Sequence, residues 1–138
     1  MSIELERIDH IGIAVSDMEA AIALYDGTLG MPVAHRERIE SQGVEVALLE
    51  VGEGHIELLE PVEEDTPVGR FIARDGEGLH HVAYLVDDIV VALKGLATEG
   101  VELIDPGPKF GIQNRRVAFV HHESVRGVLT ELIEPPNS

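Results

Sequence analysis

Residues 8–17 read IDHIGIAVSD, and residues 79–88 read LHHVAYLVDD, so that one motif occurs twice along the chain. An offset of 71 residues places His10 on His81. Each copy alternates apolar residues with small or polar ones, ends at an aspartate that can cap a helix, and is followed by a helical pattern. We interpret the repeat as a duplicated module, because its period exceeds the roughly 20–50 residues that are typical of solenoid proteins.

The two modules also end alike, since residues 57–61 read ELLEP and residues 131–135 read ELIEP. Between the shared start and the shared end, each module contains a helical pattern and then three alternating stretches bounded by glycine or proline. The sequence therefore predicts an α+β fold of two tandem βαβββ modules, at about residues 7–61 and 79–135. The expected strands lie at 7–15, 33–40, 44–51, 55–60, 79–86, 101–104, 115–120 and 127–134, the expected helices at 18–29 and 89–97, and a short linker helix at 68–74.

The composition fits a single domain that extends over all 138 residues. The chain contains no cysteine, which excludes a disulfide scaffold, a cysteine nucleophile and a thiolate zinc site. A net charge of -16 is the opposite of the basic surface that a nucleic-acid-binding protein needs. No apolar run approaches the ~18 residues of a membrane span, and the first ten residues contain no apolar signal core. We therefore expect a cytoplasmic protein without a membrane partner.

Two histidines and two glutamates recur at equivalent positions of the modules. His10 and His81 fall on the strand face that points away from the following helix, whereas Glu57 and Glu131 lie within apolar closing strands. A buried carboxylate is costly unless it is paired or metal-bound. A two-fold relation between the modules would bring all four side chains to one cleft, where two imidazoles and two carboxylates suit a divalent ion such as Mn, Fe, Co, Ni or Zn. The alternative is that the duplication copied four residues without a function.

Several stretches together resemble the methylmalonyl-CoA epimerase family of the vicinal oxygen chelate superfamily. These stretches are IDHIGIAVSD, SQGVEVALLE, GLHHVAYLVDD and GVLTELIEP, and the resemblance extends over about residues 7–136. It implies a metal-holding cup made of the two modules, a homodimer, and one divalent ion per chain, with cobalt first and Mn, Ni, Zn or Fe as alternatives. The implied metal ligands are His10, Glu57, His81 and Glu131. Epimerases often have glutamine at the second of these positions, so Glu57 is a departure toward bacterial-type glyoxalase I.

The reaction that the resemblance implies inverts a carbon between the thioester and the carboxylate of an acyl-CoA substrate. Loss of the proton creates an enolate, whose charge a divalent ion can stabilise, and inversion needs one acid/base group on each face. The resemblance implies Glu131 and Glu45 as these two catalytic groups. If Gly52–Gly54 forms a three-residue hairpin loop, Leu49 pairs with Glu57, and Glu45 then shares the face of Glu57. A two-residue loop would instead place Glu45 on the opposite face.

The phosphates of CoA need cations, of which the chain has ten. Arg115 and Arg116 follow an irregular loop rich in proline and glycine, near the expected rim of the cup, and Lys109 lies in that loop. The alternative for each of them is an ordinary surface charge. No phosphate-binding loop of the GxxxxGK type is present, which disfavours a nucleotide triphosphatase. The other cations are Arg7, Arg36, Arg38, Arg70, Arg74, Lys94 and Arg126.

Two other functions stay open. One is glyoxalase I, a lyase that acts on a glutathione hemithioacetal and uses the same kind of metal site. Glu45 and the sequence HHESVRGVLTEL at residues 121–132, near the end of the chain, disfavour this function. A non-catalytic small-molecule-binding module of the same fold would not need all four candidate ligands. An extradiol dioxygenase would show two histidines and one carboxylate, so the fourth candidate ligand disfavours it.

Overall fold

The computed structural model describes residues 2–136. Contacts between residues divide the chain into two compact units. One unit is His10–His80, and the other comprises the described residues of Met1–Asp9 and His81–Ser138. No helix among the described residues is long and apolar enough to cross a membrane.

The unit His10–His80 carries a four-stranded sheet in the order β2-β3-β4-β1. β1 runs parallel to β4, while β3 pairs with β2 and β4 in antiparallel fashion. Helix α1 begins where the carboxylate of Asp17 accepts a hydrogen bond from the N–H of Ala20 at 3.1 Å, as expected for the predicted cap. The elements are β1 (Arg7–Ala14), α1 (Met18–Ile22), a π-helical turn (Ala23–Thr28), β2 (Val33–Ile39), β3 (Val44–Val51), β4 (Gly54–Pro61) and α2 (Pro67–Asp75).

The apolar core of this unit lies between the sheet and the helical segment that follows β1. Successive side chains of a strand point to opposite faces of the sheet, so every second side chain points toward that core. The expected linker helix is confirmed as α2, which Thr66 caps by accepting a hydrogen bond from the N–H of Gly69 at 3.0 Å. The buried core residues are Val15, Met18, Ala47, Leu49 and Leu58.

The second unit carries a sheet in the order β5-β8-β7-β6, with β5 parallel to β8 and the other pairs antiparallel. Asp88 caps α3 by accepting a hydrogen bond from the N–H of Val91 at 3.2 Å. The elements are β5 (Gly78–Leu85), α3 (Ile89–Thr98), β6 (Lys109–Phe110), β7 (Arg116–Val120) and β8 (Thr130–Ile133). The buried core residues are Val86, Ile89, Ala92, Leu93, Ala118, Val120 and Leu132.

The strand predicted at 101–104 does not form, although the βαβββ order is kept because β6 takes its place. Leu103 makes a single bridge to Val120, and the chain then leaves the ladder. Pro106 and Pro108 follow directly, and proline cannot donate the hydrogen bond that a ladder needs. The side chain of Asp105 instead accepts a hydrogen bond from the N–H of Phe119 at 2.8 Å.

The last predicted strand, at 127–134, is shorter than expected. Arg126 and Gly127 adopt φ angles of 66° and 98°, so the backbone turns there and pairing begins only at Thr130. These are left-handed conformations that a strand cannot include.

The hairpin between β3 and β4 has a two-residue loop, so the three-residue loop on which the expected face of Glu45 depended does not form. Val51 pairs with Gly54, and Leu48 rather than Leu49 pairs with Glu57. Gly52 has a φ of 58°, the positive value that a two-residue hairpin turn requires at its first central position. A change of one residue in register moves every side chain of β3 to the other face of the sheet.

Candidate metal centre

A histidine and a glutamate are buried together in the unit His10–His80. In the parallel pair of β1 and β4, Gly12 lies beside Glu57, which puts Glu57 and His10 on one face. This face is opposite the one that packs under α1. The Nε2 atom of His10 lies 3.6 Å from Oε1 of Glu57, and the two residues are only 1% and 5% exposed.

The second unit buries an equivalent pair. Ala83 on β5 lies beside Glu131 on β8, so that Glu131 and His81 share a face. The Nε2 atom of His81 lies 3.3 Å from Oε1 of Glu131. The ring of Phe119, which is the cross-strand partner of Glu131, meets the His81 ring at 90° with 5.5 Å between centroids. The duplication therefore places a histidine beside a glutamate in each unit.

The separations within the two pairs are longer than charge-assisted hydrogen bonds, and one of them matches the spacing of two ligands of one cation. A charge-assisted hydrogen bond between nitrogen and a carboxylate is about 2.7–2.9 Å long, which is shorter than either separation. Two ligand atoms at about 2.1 Å from one ion lie roughly 3.0–3.4 Å apart for angles between 90° and 109°. The His81–Glu131 separation of 3.3 Å falls in this range, whereas the His10–Glu57 separation of 3.6 Å is slightly longer. Imidazole nitrogen and carboxylate oxygen are also suitable donors for a divalent transition metal. That one ion binds His10, Glu57, His81 and Glu131 together stays a prediction.

The structure does not bring Glu45 together with Glu57. Glu45 lies opposite Glu60 in the hairpin, and Glu60 accepts a hydrogen bond from the N–H of Met18 at the start of α1, at 2.9 Å. Glu45 is therefore on the helix-facing side of the sheet. Its side chain is 37% exposed and lies 3.7 Å from Nη1 of Arg38. The expectation that Glu45 shares a face with Glu57 and can act there as a catalytic base is wrong, because it depended on a three-residue hairpin loop.

Apolar residues of β3 occupy the face that Glu45 was expected to share. Val46 and Leu48 are buried there, beside Leu59 and Glu57 of β4. The half-buried imidazole of His55 lies on the same face, since His55 is two residues before Glu57 and is the strand partner of His10. The titratable side chains of β1 and β4 on this face are thus His10, His55 and Glu57.

Arg115 is not at an exposed rim, contrary to expectation. Its guanidinium donates hydrogen bonds to both carboxylate oxygens of Asp9, at 2.8 and 3.2 Å, and its Nε donates to the carbonyl of Glu134 at 2.8 Å. Both Arg115 and Asp9 are almost fully buried. This arginine therefore has a structural role. The sequence offers no local signal for it, because its partner lies 106 residues away along the chain.

Lys109 and Arg116, the other two candidate phosphate-binding cations of this region, lie on opposite faces of their sheet. Lys109 pairs with Val117 and therefore lies on the face of Phe119, whereas Arg116 pairs with Phe110 and lies on the face of the α3 core. The ammonium of Lys109 is 5.2 Å from the centroid of the Phe119 ring. Sequence reasoning gave no role to Phe119, although its position two residues after Val117 in an alternating strand indicates this face.

Comparison with known proteins assigns the chain to a family. Residues 9–119 match the family described as the Glyoxalase/Bleomycin resistance protein/Dioxygenase superfamily, and the chain belongs to this superfamily. Within it, the chain is 37% identical over 128 residues to an ethylmalonyl-CoA/methylmalonyl-CoA epimerase of Cereibacter sphaeroides, covering 91% of this chain and 96% of that protein. It is also 40% identical to the uncharacterized Bacillus subtilis protein YqjC, covering 95% of this chain and 94% of that protein.

A solved structure agrees with these relatives. The structure of a methylmalonyl-CoA epimerase in complex with methylmalonyl-CoA and NH4+ matches with a TM-score of 0.92 and 39% identity, over 95% of each chain. The predicted α+β fold of the vicinal oxygen chelate type and the predicted resemblance to methylmalonyl-CoA epimerases are both confirmed.

Proposed function

We propose that this protein is an enzyme that interconverts the (2R) and (2S) epimers of methylmalonyl-CoA. The observation that carries the proposal is the pair of buried His–Glu contacts at duplicated positions, in a chain that resembles epimerases over nearly its whole length. A module that only bound a small molecule would have no need for two buried carboxylates beside imidazoles, which are costly to bury.

We propose that His10, Glu57, His81 and Glu131 hold one divalent ion, with cobalt first and Mn, Ni, Zn or Fe as alternatives. Such an ion, when bound, supplies the positive charge that stabilises an enolate next to an existing carboxylate. A divalent ion held by the four side chains would neutralise the two buried carboxylates and would offer a cation to the oxygens of an anionic substrate, although the chain as a whole is strongly acidic.

Glu131 is the acid/base group on one face of the α-carbon in this proposal. Glu131 is 6% exposed, its Oε1 lies 3.3 Å from Nε2 of His81, and Phe119 is its cross-strand partner. A proton that Glu131 removes either returns to the same face of the α-carbon or exchanges with water. General acid–base groups must lie within hydrogen-bond reach of the proton that they move.

Glu57 is the group that we propose for the other face, in place of Glu45. The duplication gives Glu57 the same place in the first module that Glu131 has in the second, and β3 presents Val46 and Leu48 on this face instead of an acid or base. A carboxylate can carry a proton, whereas the glutamine that epimerases often have at this position cannot. The departure at residue 57 thus provides the second acid/base group.

The test starts from a single epimer of methylmalonyl-CoA and the metal-loaded protein. The expected result is the appearance of the other epimer until the two are equal, detected with an enzyme that consumes only one of them. A parallel assay with the hemithioacetal of methylglyoxal and glutathione examines the glyoxalase alternative. Turnover of the hemithioacetal with no epimer interconversion would contradict the proposal.

A further inference from the structure

Lys109 lies on the face of the second unit's sheet that carries the His81–Glu131 pair. The register of β6 on β7 pairs Lys109 with Val117, and the register of β7 on β8 pairs Phe119 with Glu131. Side chains two residues apart on a strand share a face, so Lys109, Phe119 and Glu131 lie on the same side.

The ammonium of Lys109 is one aromatic ring away from the imidazole of His81. Its Nζ atom is 5.2 Å from the centroid of Phe119, within the range of a cation–π contact, and the centroid of Phe119 is 5.5 Å from that of His81. The Lys109 side chain is 43% exposed, so a ligand that enters from solvent can reach it.

The existing partner of Lys109 leaves part of its ammonium available. Asp105 Oδ2 lies 3.4 Å from Nζ, and the same oxygen accepts a hydrogen bond from the N–H of Phe119 at 2.8 Å. The ion pair is longer than a charge-assisted hydrogen bond of about 2.7–2.9 Å. An ammonium group has three N–H donors, so Lys109 can donate to a further anion without losing Asp105.

We propose that Lys109 binds the acyl carboxylate of the substrate and thereby selects malonyl-type thioesters over uncharged acyl thioesters. This inference rests on the proposed function. Lys109 lies on the same face of the sheet as Glu131, which would act on the α-carbon, and the acyl carboxylate is attached directly to that carbon. The phosphates of CoA, by contrast, are separated from the α-carbon by the whole pantetheine arm.

Binding calorimetry on the full-length, metal-loaded protein tests this proposal with malonyl-CoA, acetoacetyl-CoA and free CoA. Acetoacetyl-CoA has nearly the same shape as malonyl-CoA but an uncharged methyl ketone in place of the carboxylate. Lys109→Met should weaken malonyl-CoA binding by about 10-fold or more, the effect typical of a lost hydrogen bond to a charged group. The affinity for acetoacetyl-CoA and for CoA should stay unchanged, which also shows that the variant is folded.

Two further variants separate a binding role from a structural one. Lys109→Arg keeps the charge and should keep most of the affinity for malonyl-CoA. Lys94→Met removes an exposed cation from α3 and should affect none of the three ligands.

Equal losses for malonyl-CoA and acetoacetyl-CoA in Lys109→Met would overturn the proposal, because they would indicate contact with the CoA portion. No loss for either ligand would also overturn it. Failure of the proposed function has a different signature. In that case the wild-type protein would bind malonyl-CoA more tightly than acetoacetyl-CoA, through Lys109, and yet would not interconvert methylmalonyl-CoA epimers.

Discussion

Glu57→Gln removes a carboxylate that can carry a proton while keeping the size of the side chain and one oxygen for a cation. Glu57 is 5% exposed, and its Oε1 is 3.6 Å from His10, so the glutamine should occupy the same place. Loss of one acid/base group typically costs about 10²–10⁴-fold in rate. We expect epimerisation to fall by that factor. Exchange of the α-proton with heavy water should survive for one epimer, because Glu131 still removes and returns the proton on its own face.

The matched control is Glu45→Gln. Its carboxylate is 37% exposed, lies on the helix-facing side of the sheet and is 3.7 Å from Arg38. An exposed ion pair of this kind contributes about 0.2–1 kcal/mol to the free energy of unfolding. Glu45→Gln should therefore epimerise methylmalonyl-CoA at nearly the wild-type rate.

The assay measures the rate of α-proton loss separately for each epimer, after metal analysis has shown that each variant carries its ion. Wild-type epimerisation by metal-loaded Glu57→Gln would refute the reasoning and would direct attention to His55, which lies on the same face. A large loss of epimerisation in Glu45→Gln, with none in Glu57→Gln, would show that the face on which Glu45 lies does not exclude it from catalysis.

The remaining predictions concern stability, the ion and assembly. Asp9→Ala should lower the free energy of unfolding, measured in urea, by about 3–5 kcal/mol, because it leaves Arg115 charged and buried without its partner carboxylate. The control Glu19→Ala, at the exposed pair with Arg36, should change the free energy of unfolding by less than about 1 kcal/mol. Similar losses in the two variants would contradict a structural role for the buried pair. Chelation should lower the melting temperature, and His10→Ala combined with His81→Ala should abolish ion binding; full metal occupancy in that double variant would exclude the site. Sedimentation should show a homodimer, and only 15.0 kDa species at micromolar concentration would contradict it.

Those features that depend on alternation within one strand could be predicted from the sequence. The side chains of Ile13 and His10 lie on opposite faces of β1 because successive residues of a strand alternate, whatever the rest of the fold does. The recurrence of a histidine and a glutamate in both modules predicted that these side chains lie close together, and the structure places Glu57 beside His10 and Glu131 beside His81.

Features that depend on one residue of register or on distant partners could not be predicted. The sequence Gly52-Glu53-Gly54 is compatible with loops of two or three residues, and the choice between them decides the face of Glu45. Arg115 has the same local surroundings as a surface arginine, and only the folded chain brings it to Asp9.

Proton NMR of methylmalonyl-CoA in heavy water with the purified, metal-loaded protein tests the central claim most directly. Removal of the α-proton on either face and its replacement by deuterium would erase the α-proton signal and collapse the methyl doublet to a singlet for both epimers. The account predicts this exchange, its loss on chelation, and its return when a divalent ion is added back. Unchanged spectra with a fully metal-loaded protein, after long incubation, would contradict it.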